Sequence, residues 1–192
     1  MPLSRFLKSP FVLNFPPMIK AYFQKLFFLW RRPTEFFSSV AFEAKPQEAS
    51  TFAALTAVLV ALLLGLQEAL SGGTPSIVAF VTLVLLVALP FVVLVCGYLW
   101  ALFIRLTGYL LGANLSLPDL QKLVLYSSGG LAALGVAYLL GKWVALAVLV
   151  FQVIGAGEVM SCSKVSAYVY VLLPAAMMGV LTLILALLFK VF

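Results

Sequence analysis

Strongly polar side chains are rare in the apolar part of this chain, and only a few could do chemistry inside a membrane. They are Gln67, Glu68, Gln152 and Glu158. A carboxylate within a membrane span is a functional candidate by default, because a charge is costly there and often marks an ion or proton path. Gln152 alone is more typical of a hydrogen bond between helices.

Glu158 also lies close to Lys164 in the sequence. We therefore favour a structural ion pair at the membrane surface, in which Glu158 pairs with Lys164, Arg105 or Lys122. A role in a proton or ion path is the alternative.

Other catalytic groups are missing from the sequence. It contains no histidine, which removes the commonest metal ligand and the usual general base. The two cysteines, Cys96 and Cys162, do not have a metal-ligand spacing. The sequence has no nucleophile with a base, no paired acids and no phosphate loop. We therefore predict that the protein is not an enzyme and has no cofactor or bound metal.

The composition predicts an integral membrane protein. Of its 192 residues, 65% are hydrophobic and 9% are charged, and the mean hydropathy is +1.19, values outside the range of soluble domains. The net charge is +6, but the cations flank apolar segments as membrane orientation signals do. We therefore predict no nucleic-acid partner.

Five apolar segments are near or above the roughly 20 residues that cross a bilayer core. They are approximately 51–70, 76–104, 119–140, 143–162 and 165–189. The predicted fold is therefore an all-α integral membrane protein with five transmembrane helices preceded by amphipathic interfacial helices. Residues 1–48 would form a basic aromatic arm, and residues 49–192 the five-span domain.

The cations predict how the spans are oriented. With five spans, ten of the twelve Lys and Arg residues fall on the side of the amino terminus, and only Lys142 and Lys190 on the other. The positive-inside rule then places the N-terminus in the cytoplasm and the C-terminus outside. We expect this orientation in a bacterial inner membrane.

The arm combines cations with aromatic residues. Residues 1–32 contain six cations and no acid. Apolar side chains recur there at helical spacing, which predicts an amphipathic helix in the membrane interface that binds anionic phospholipid. A second short helix after Pro33 would lie flat in the same way. The residues expected to contact lipid or a partner protein are Ile19, Tyr22, Phe23, Leu26, Phe27, Trp30, Arg31, Arg32, Phe36 and Phe37. An orientation signal with no docking role remains equally open.

Small residues recur at every fourth position in two of the predicted spans. They are Ala53, Ala57, Ala61 and Gly65 in the first, and Gly129, Ala133 and Ala137 in the third. Such ridges allow helix backbones to approach closely. They favour a compact helix bundle over a pore.

A polar turn separates the second and third spans and carries a family resemblance. The turn reads L-T-G-Y-L-L-G-A-N-L-S, and it is followed by L-V-L-Y-S-S. With R-R-P-T-E-F-F before the first span and V-I-G-A-G-E-V-M-S at the end of the fourth, the chain resembles the bacterial branch of the Yip family over about residues 30–190. These proteins are named for interacting with Ypt/Rab GTPases. Gly130 stands where a proline is expected, and the acidic Gly-Pro motif of the eukaryotic members is absent.

Two functions fit these observations. The first is a non-catalytic membrane scaffold or accessory subunit that contacts other membrane proteins through its arm and its packed spans. The alternative is a small transporter, channel or lipid-translocating protein, which would need a polar path across the bilayer.

Overall fold

The computed structural model describes residues 16–41, 44–131, 144–160 and 163–191. Every regular element within these residues is a helix. The helices are α1 (Pro17–Arg31), α2 (Pro33–Glu35) with a π-helical turn (Phe36–Ala41), α3 (Pro46–Leu70), α4 (Pro75–Leu110), α5 (Leu117–Ser127), α6 (Val144–Val159) and α7 (Lys164–Val191). The chain is thus all-α across its described part, as predicted.

Proline marks the beginning of these helices. Helices α1 to α5 each carry it in their first or second position, where its fixed φ suits the helix and its missing N–H costs nothing. Two interior prolines behave differently: α4 continues through Pro90 and α7 through Pro174.

Three helices are long and apolar enough to cross a membrane, which together with the composition makes this a membrane protein. They are α3, α4 and the segment Lys164–Thr182 of α7. Helix α6 is apolar but has only 16 residues. The predicted span 119–140 begins with α5, which ends at Ser127, and its second half lies outside the described residues.

Helix α5 lies at the centre of the molecule. It contacts α3, α4, α6 and the π-helical turn, and residues 122–130 are all buried. Helix α4 passes close to it at Gly97, where an added Cβ would lie 2.9 Å from Cδ2 of Leu125. The bundle therefore packs around α5, and the arm helix α1 lies against this core.

Candidate functional site at the N-terminal arm

The arm helix α1 is attached to the bundle by its apolar face. Tyr22, Leu26 and Leu29 share one side of the helix, and all three are buried in the protein. Sequence patterns did not single out Leu29, although it continues the stripe one turn after Leu26. The amphipathic pattern of α1 is therefore used, at least along this stripe, to pack against the protein itself.

Polar contacts fix the position of α1. The hydroxyl of Tyr22 donates to Oγ1 of Thr56 in α3 at 3.2 Å, and Nε1 of Trp30 donates to the carbonyl of Gly129 at 3.0 Å. Nζ of Lys25 forms an ion pair with Glu48 at 2.9 Å. Burial raises the pKa of Tyr22, while its hydrogen bond with Thr56 opposes the rise. These contacts tie the arm to α3 and to the end of α5.

A continuous aromatic cluster joins the arm to the core. We define it as Tyr22, Phe23, Phe28, Phe36, Phe37, Phe52 and Tyr126. Tyr126 is its centre, because its ring centroid lies 5.2 Å from those of both Phe36 and Phe52. Phe52 continues to Tyr22 at 5.3 Å, and Phe36 meets Phe37 edge-on at 5.5 Å. Tilted and edge-to-face pairs of this kind add to the stability from burial.

Glycine makes room for the cluster and the arm. A Cβ at Gly129 would lie 2.6 Å from Cδ2 of Leu29 and 3.1 Å from the ring of Phe52. A Cβ at Gly155 would lie 2.8 Å from the ring of Phe37. Both glycines therefore allow a close approach that no other residue permits without movement.

Four of the predicted contact residues are not available to lipid or to a partner. Tyr22, Leu26, Phe36 and Phe37 are buried, the last two completely. The prediction that Phe36 and Phe37 lie flat on the membrane is wrong, because their rings fill the space between α1, α5 and α6. Ile19, Phe23 and Trp30 are half-buried, and Trp30 is engaged with Gly129.

The outward side of α1 remains open. Phe27 is 64% exposed and Met18 is 57% exposed. Arg31 and Arg32 are also exposed, and Arg32 pairs with Glu35 at 3.1 Å. The exposed residues Phe27, Arg31 and Arg32, which we call the outer face, are the part of the predicted contact set that a partner or lipid can reach. Met18 was not in that set, and it lies on the opposite side of the helix from Phe27, nine residues away.

The predicted small-residue ridge of α3 is buried. Ala53, Ala57 and Ala61 have no exposed surface, and a Cβ at Gly65 would overlap the side chain of Thr82 in α4. Of the second ridge, Gly129 packs against Leu29, while Ala133 and Ala137 lie outside the described residues. The α3 ridge therefore lies where this helix packs within the bundle.

Of the four polar candidates in the apolar segments, Gln67 is half-buried and Glu68 is exposed near the end of α3, and the other two, Gln152 and Glu158, are engaged with nearby groups. Gln152 is buried and accepts a hydrogen bond from Nε1 of Trp100 at 3.1 Å, which joins α4 to α6. Glu158 pairs with Lys164 at 3.1 Å. Lys122, which was also expected near Glu158, instead pairs with Asp119 of its own helix at 2.8 Å.

The contacts of the arm are packing contacts, hydrogen bonds and ion pairs. No group of three His, Cys, Asp or Glu that could hold a metal ion occurs among the residues that the structure describes. Comparison with protein-family models, with curated proteins and with solved structures finds no match for this chain. The resemblance to the Yip family therefore stays a prediction.

Proposed function

We propose that this chain is a non-catalytic accessory subunit or scaffold of a membrane protein complex, with five spans and its N-terminus in the cytoplasm of a bacterial inner membrane. In this proposal the arm presents its outer face to another membrane protein, and its cations also contact anionic phospholipid. Membership of the bacterial branch of the Yip family belongs to the same proposal.

The proposal rests on one observation: one side of α1 is buried against the protein and the other side is exposed. The inner side is held by Tyr22, Leu26 and Leu29, so the helix is ordered before any partner arrives. The outer side keeps Phe27 exposed beside Arg31, and aromatic residues and arginine are the types most enriched in binding hot spots. A surface ordered in advance loses less entropy on binding.

Transport is the weaker of the two functions. It would need polar groups free to face a path across the bilayer. Gln152 is instead bonded to Trp100, and Glu158 is paired with Lys164 near the end of α6. These contacts are typical of helix packing and of a charge pair at the membrane surface, so they favour the accessory role.

The test of the docking role replaces only the outer face. Phe27→Ser removes its apolar group and leaves the buried stripe intact. Phe80→Ser, on the exposed side of α4, is the matched control because Phe80 is 68% exposed. We expect Phe27→Ser to lose co-purifying membrane proteins in mild detergent, with unchanged membrane retention, and the control to keep them. If Phe27→Ser keeps the same proteins as the parent, the outer face is not the docking surface.

The orientation is tested with single cysteines in a background from which Cys96 and Cys162 have been removed. Cysteines at Asn114 and Thr74 flank α4, and a membrane-impermeant thiol reagent should reach them from opposite sides. Asn114 should be labelled from the cytoplasm. Labelling of both positions from one side would contradict the five-span arrangement.

A further inference from the structure

A groove lies at the end of α4, where the chain turns towards α5. It has a volume of about 330 Å³, at the lower end of the range for ligand sites. One wall is a stripe on α4 and the other is the turn. The lining residues are Leu102, Arg105, Leu106, Tyr109, Ala113, Asn114 and Leu115. The α4 residues recur at helical spacing and thus form one continuous stripe.

The turn holds the second wall in place. The backbone N–H of Ala113 donates to the carbonyl of Gly108 at 2.8 Å, and Gly112 has a φ of 79°, which glycine adopts without strain. Leu115 then packs directly on α4, since a Cβ at Gly108 would lie 2.5 Å from its Cδ1. The groove is therefore formed without a ligand.

Arg105 is the charged group of this groove. It is exposed, and within the described part of the chain no carboxylate lies within ion-pair distance of it. Two other cations of the bundle are paired with carboxylates: Lys122 pairs with Asp119 at 2.8 Å, and Lys164 pairs with Glu158 at 3.1 Å. The guanidinium of Arg105 is thus free to bind an external anion.

The length of α4 places Arg105 at the level of lipid headgroups. The helix has no charged residue from Pro75 to Ile104. At about 1.5 Å per residue, this stretch is roughly as long as a bilayer with its headgroups is thick, about 45 Å. Leu102 lies one turn deeper and is 52% exposed, and Tyr109 lies one turn further out. Arg105 therefore lies at the headgroup level, and the apolar side chain of Leu102 lies on the membrane side of it.

We propose that this groove binds one anionic phospholipid. The phosphate lies against Arg105, whose planar guanidinium offers paired donors to phosphate oxygens, with the side-chain amide of Asn114 beside it. Leu106 lines the groove beside Arg105, and an acyl chain passes Leu102 towards the hydrocarbon core. A lipid suits this combination of cation and apolar wall better than a free phosphate does, because a free phosphate would leave the leucines without a partner. The proposal does not depend on the accessory role.

The test is a lipid titration of the full chain in detergent, followed by native mass spectrometry. Phosphatidylglycerol is the anionic probe and phosphatidylcholine the neutral one. We expect one phosphatidylglycerol to bind at least about tenfold more tightly than phosphatidylcholine. Arg105→Gln should weaken phosphatidylglycerol binding about tenfold, because a hydrogen bond to a charged group is lost. Arg105→Lys keeps the charge without the paired donors, so its affinity for phosphatidylglycerol should lie between those of the parent and Arg105→Gln.

Lys164→Gln is the matched control, because it removes the same charge from an exposed position outside both the groove and the arm. It should bind phosphatidylglycerol as the parent does. Equal weakening by Lys164→Gln and Arg105→Gln would overturn the proposal, as it would indicate attraction to the overall charge. Equal binding of the two lipids by the parent chain, a result that requires no variant to fold, would also overturn it. So would complete displacement of phosphatidylglycerol by millimolar inorganic phosphate, which would indicate a site for a free anion.

Discussion

Helices α3 and α4 are neighbours in the bundle and both are strongly apolar, yet they differ in how much of each is buried. In the most apolar 18-residue stretch of each, 44% of the α3 residues are buried and none of the α4 residues are. The mean hydropathy of the two stretches is 2.2 and 3.1. The more apolar helix is therefore the one that faces outward.

The difference between the two helices lies in side-chain size more than in apolar character. The buried side of α3 carries Ala53, Ala57, Ala61 and Gly65 together with Thr56, and α4 exposes Phe80, Leu83, Val87 and Phe91. Lipid tails are as apolar as leucine, so burying a leucine between helices adds little to the free energy of helix association. Close packing of the helix backbones adds more. The repeated small residues thus indicate the side of α3 that faces protein.

The largest contrast is expected for two phenylalanines. Phe52 of α3 is buried between Tyr22 and Tyr126, so Phe52→Ala should cost about 3–5 kcal/mol of unfolding free energy. Phe80→Ala on α4 should cost far less, because the ring of Phe80 is exposed. Unfolding of both variants in mixed micelles with increasing dodecyl sulfate would measure the difference. Equal losses would mean that the two helices are equally buried.

A smaller contrast is expected for two alanines. Ala57→Leu should destabilise by about 1–3 kcal/mol, since a larger side chain separates packed helices. Ala79→Leu makes the same change on α4 at an exposed position, and it should leave the unfolding midpoint near that of the parent. Leu62→Ala, at an exposed position of α3, should also have little effect. If Ala57→Leu unfolds like the parent, the ridge does not hold the helices together.

The hydroxyl of Tyr22 gives a third comparison. Tyr22→Phe removes its hydrogen bond with Thr56, which should cost about 1 kcal/mol. Tyr109→Phe, on the exposed part of α4, is the control for stability and should cost almost nothing. The same unfolding measurement applies, and an unchanged midpoint for Tyr22→Phe would mean that the bond does not hold the arm.

Tyr22 also predicts a dependence on pH. Burial raises its pKa in the folded state, whereas the unfolded chain ionises near the ordinary value of about 10. The contribution of Tyr22 to stability is therefore complete below about pH 10 and is lost as the pH rises towards the folded-state pKa. The stability of the parent should fall more steeply above about pH 10 than that of Tyr22→Phe. Parallel curves would contradict this assignment.

The smallest effect is expected at the pair between Glu158 and Lys164. Removing one partner of a buried pair is costly, but the side chain of Lys164 is 65% exposed, and water can solvate it after Glu158→Gln. The unfolding midpoint should shift less than for Tyr22→Phe. In proteoliposomes any flux should be unchanged, and a proton-coupled flux abolished by Glu158→Gln would instead favour the transporter function.

The positions of the helices could be predicted from the sequence better than the contacts that each helix makes. Apolar length predicted spans that begin near residues 76 and 165, close to the starts of α4 and α7, although α3 begins at Pro46, before the predicted residue 51. The fourfold spacing of small residues indicated the side of α3 that packs. Whether the apolar face of the arm contacts lipid or protein could not be predicted in the same way. Tyr22 and Leu26 have the same spacing whether they enter lipid headgroups or a protein core, because both environments accept an amphipathic helix.

In the candidate site, too, contacts between residues that are far apart in the sequence could not be predicted. Phe36 and Phe37 have the composition of an interfacial segment, and only their distance in space from Tyr126 and Gly155 reveals that they are buried. Those partners are far away in the sequence. Lys122 was one of three cations offered as a partner for Glu158, but Asp119, three residues away on the same helix, provides a partner that requires no long-range contact.

The hydrogen bond between Trp30 and Gly129 joins two positions that are 99 residues apart. A ribosome that adds about 5–20 residues per second needs roughly 5–20 s to make the intervening chain. During that time Leu29 and Trp30 are already synthesised, and Gly129, which both of them contact, is not. The partners of Tyr22 in α3 are made much sooner, so the two ends of the arm become able to bind the protein at different times.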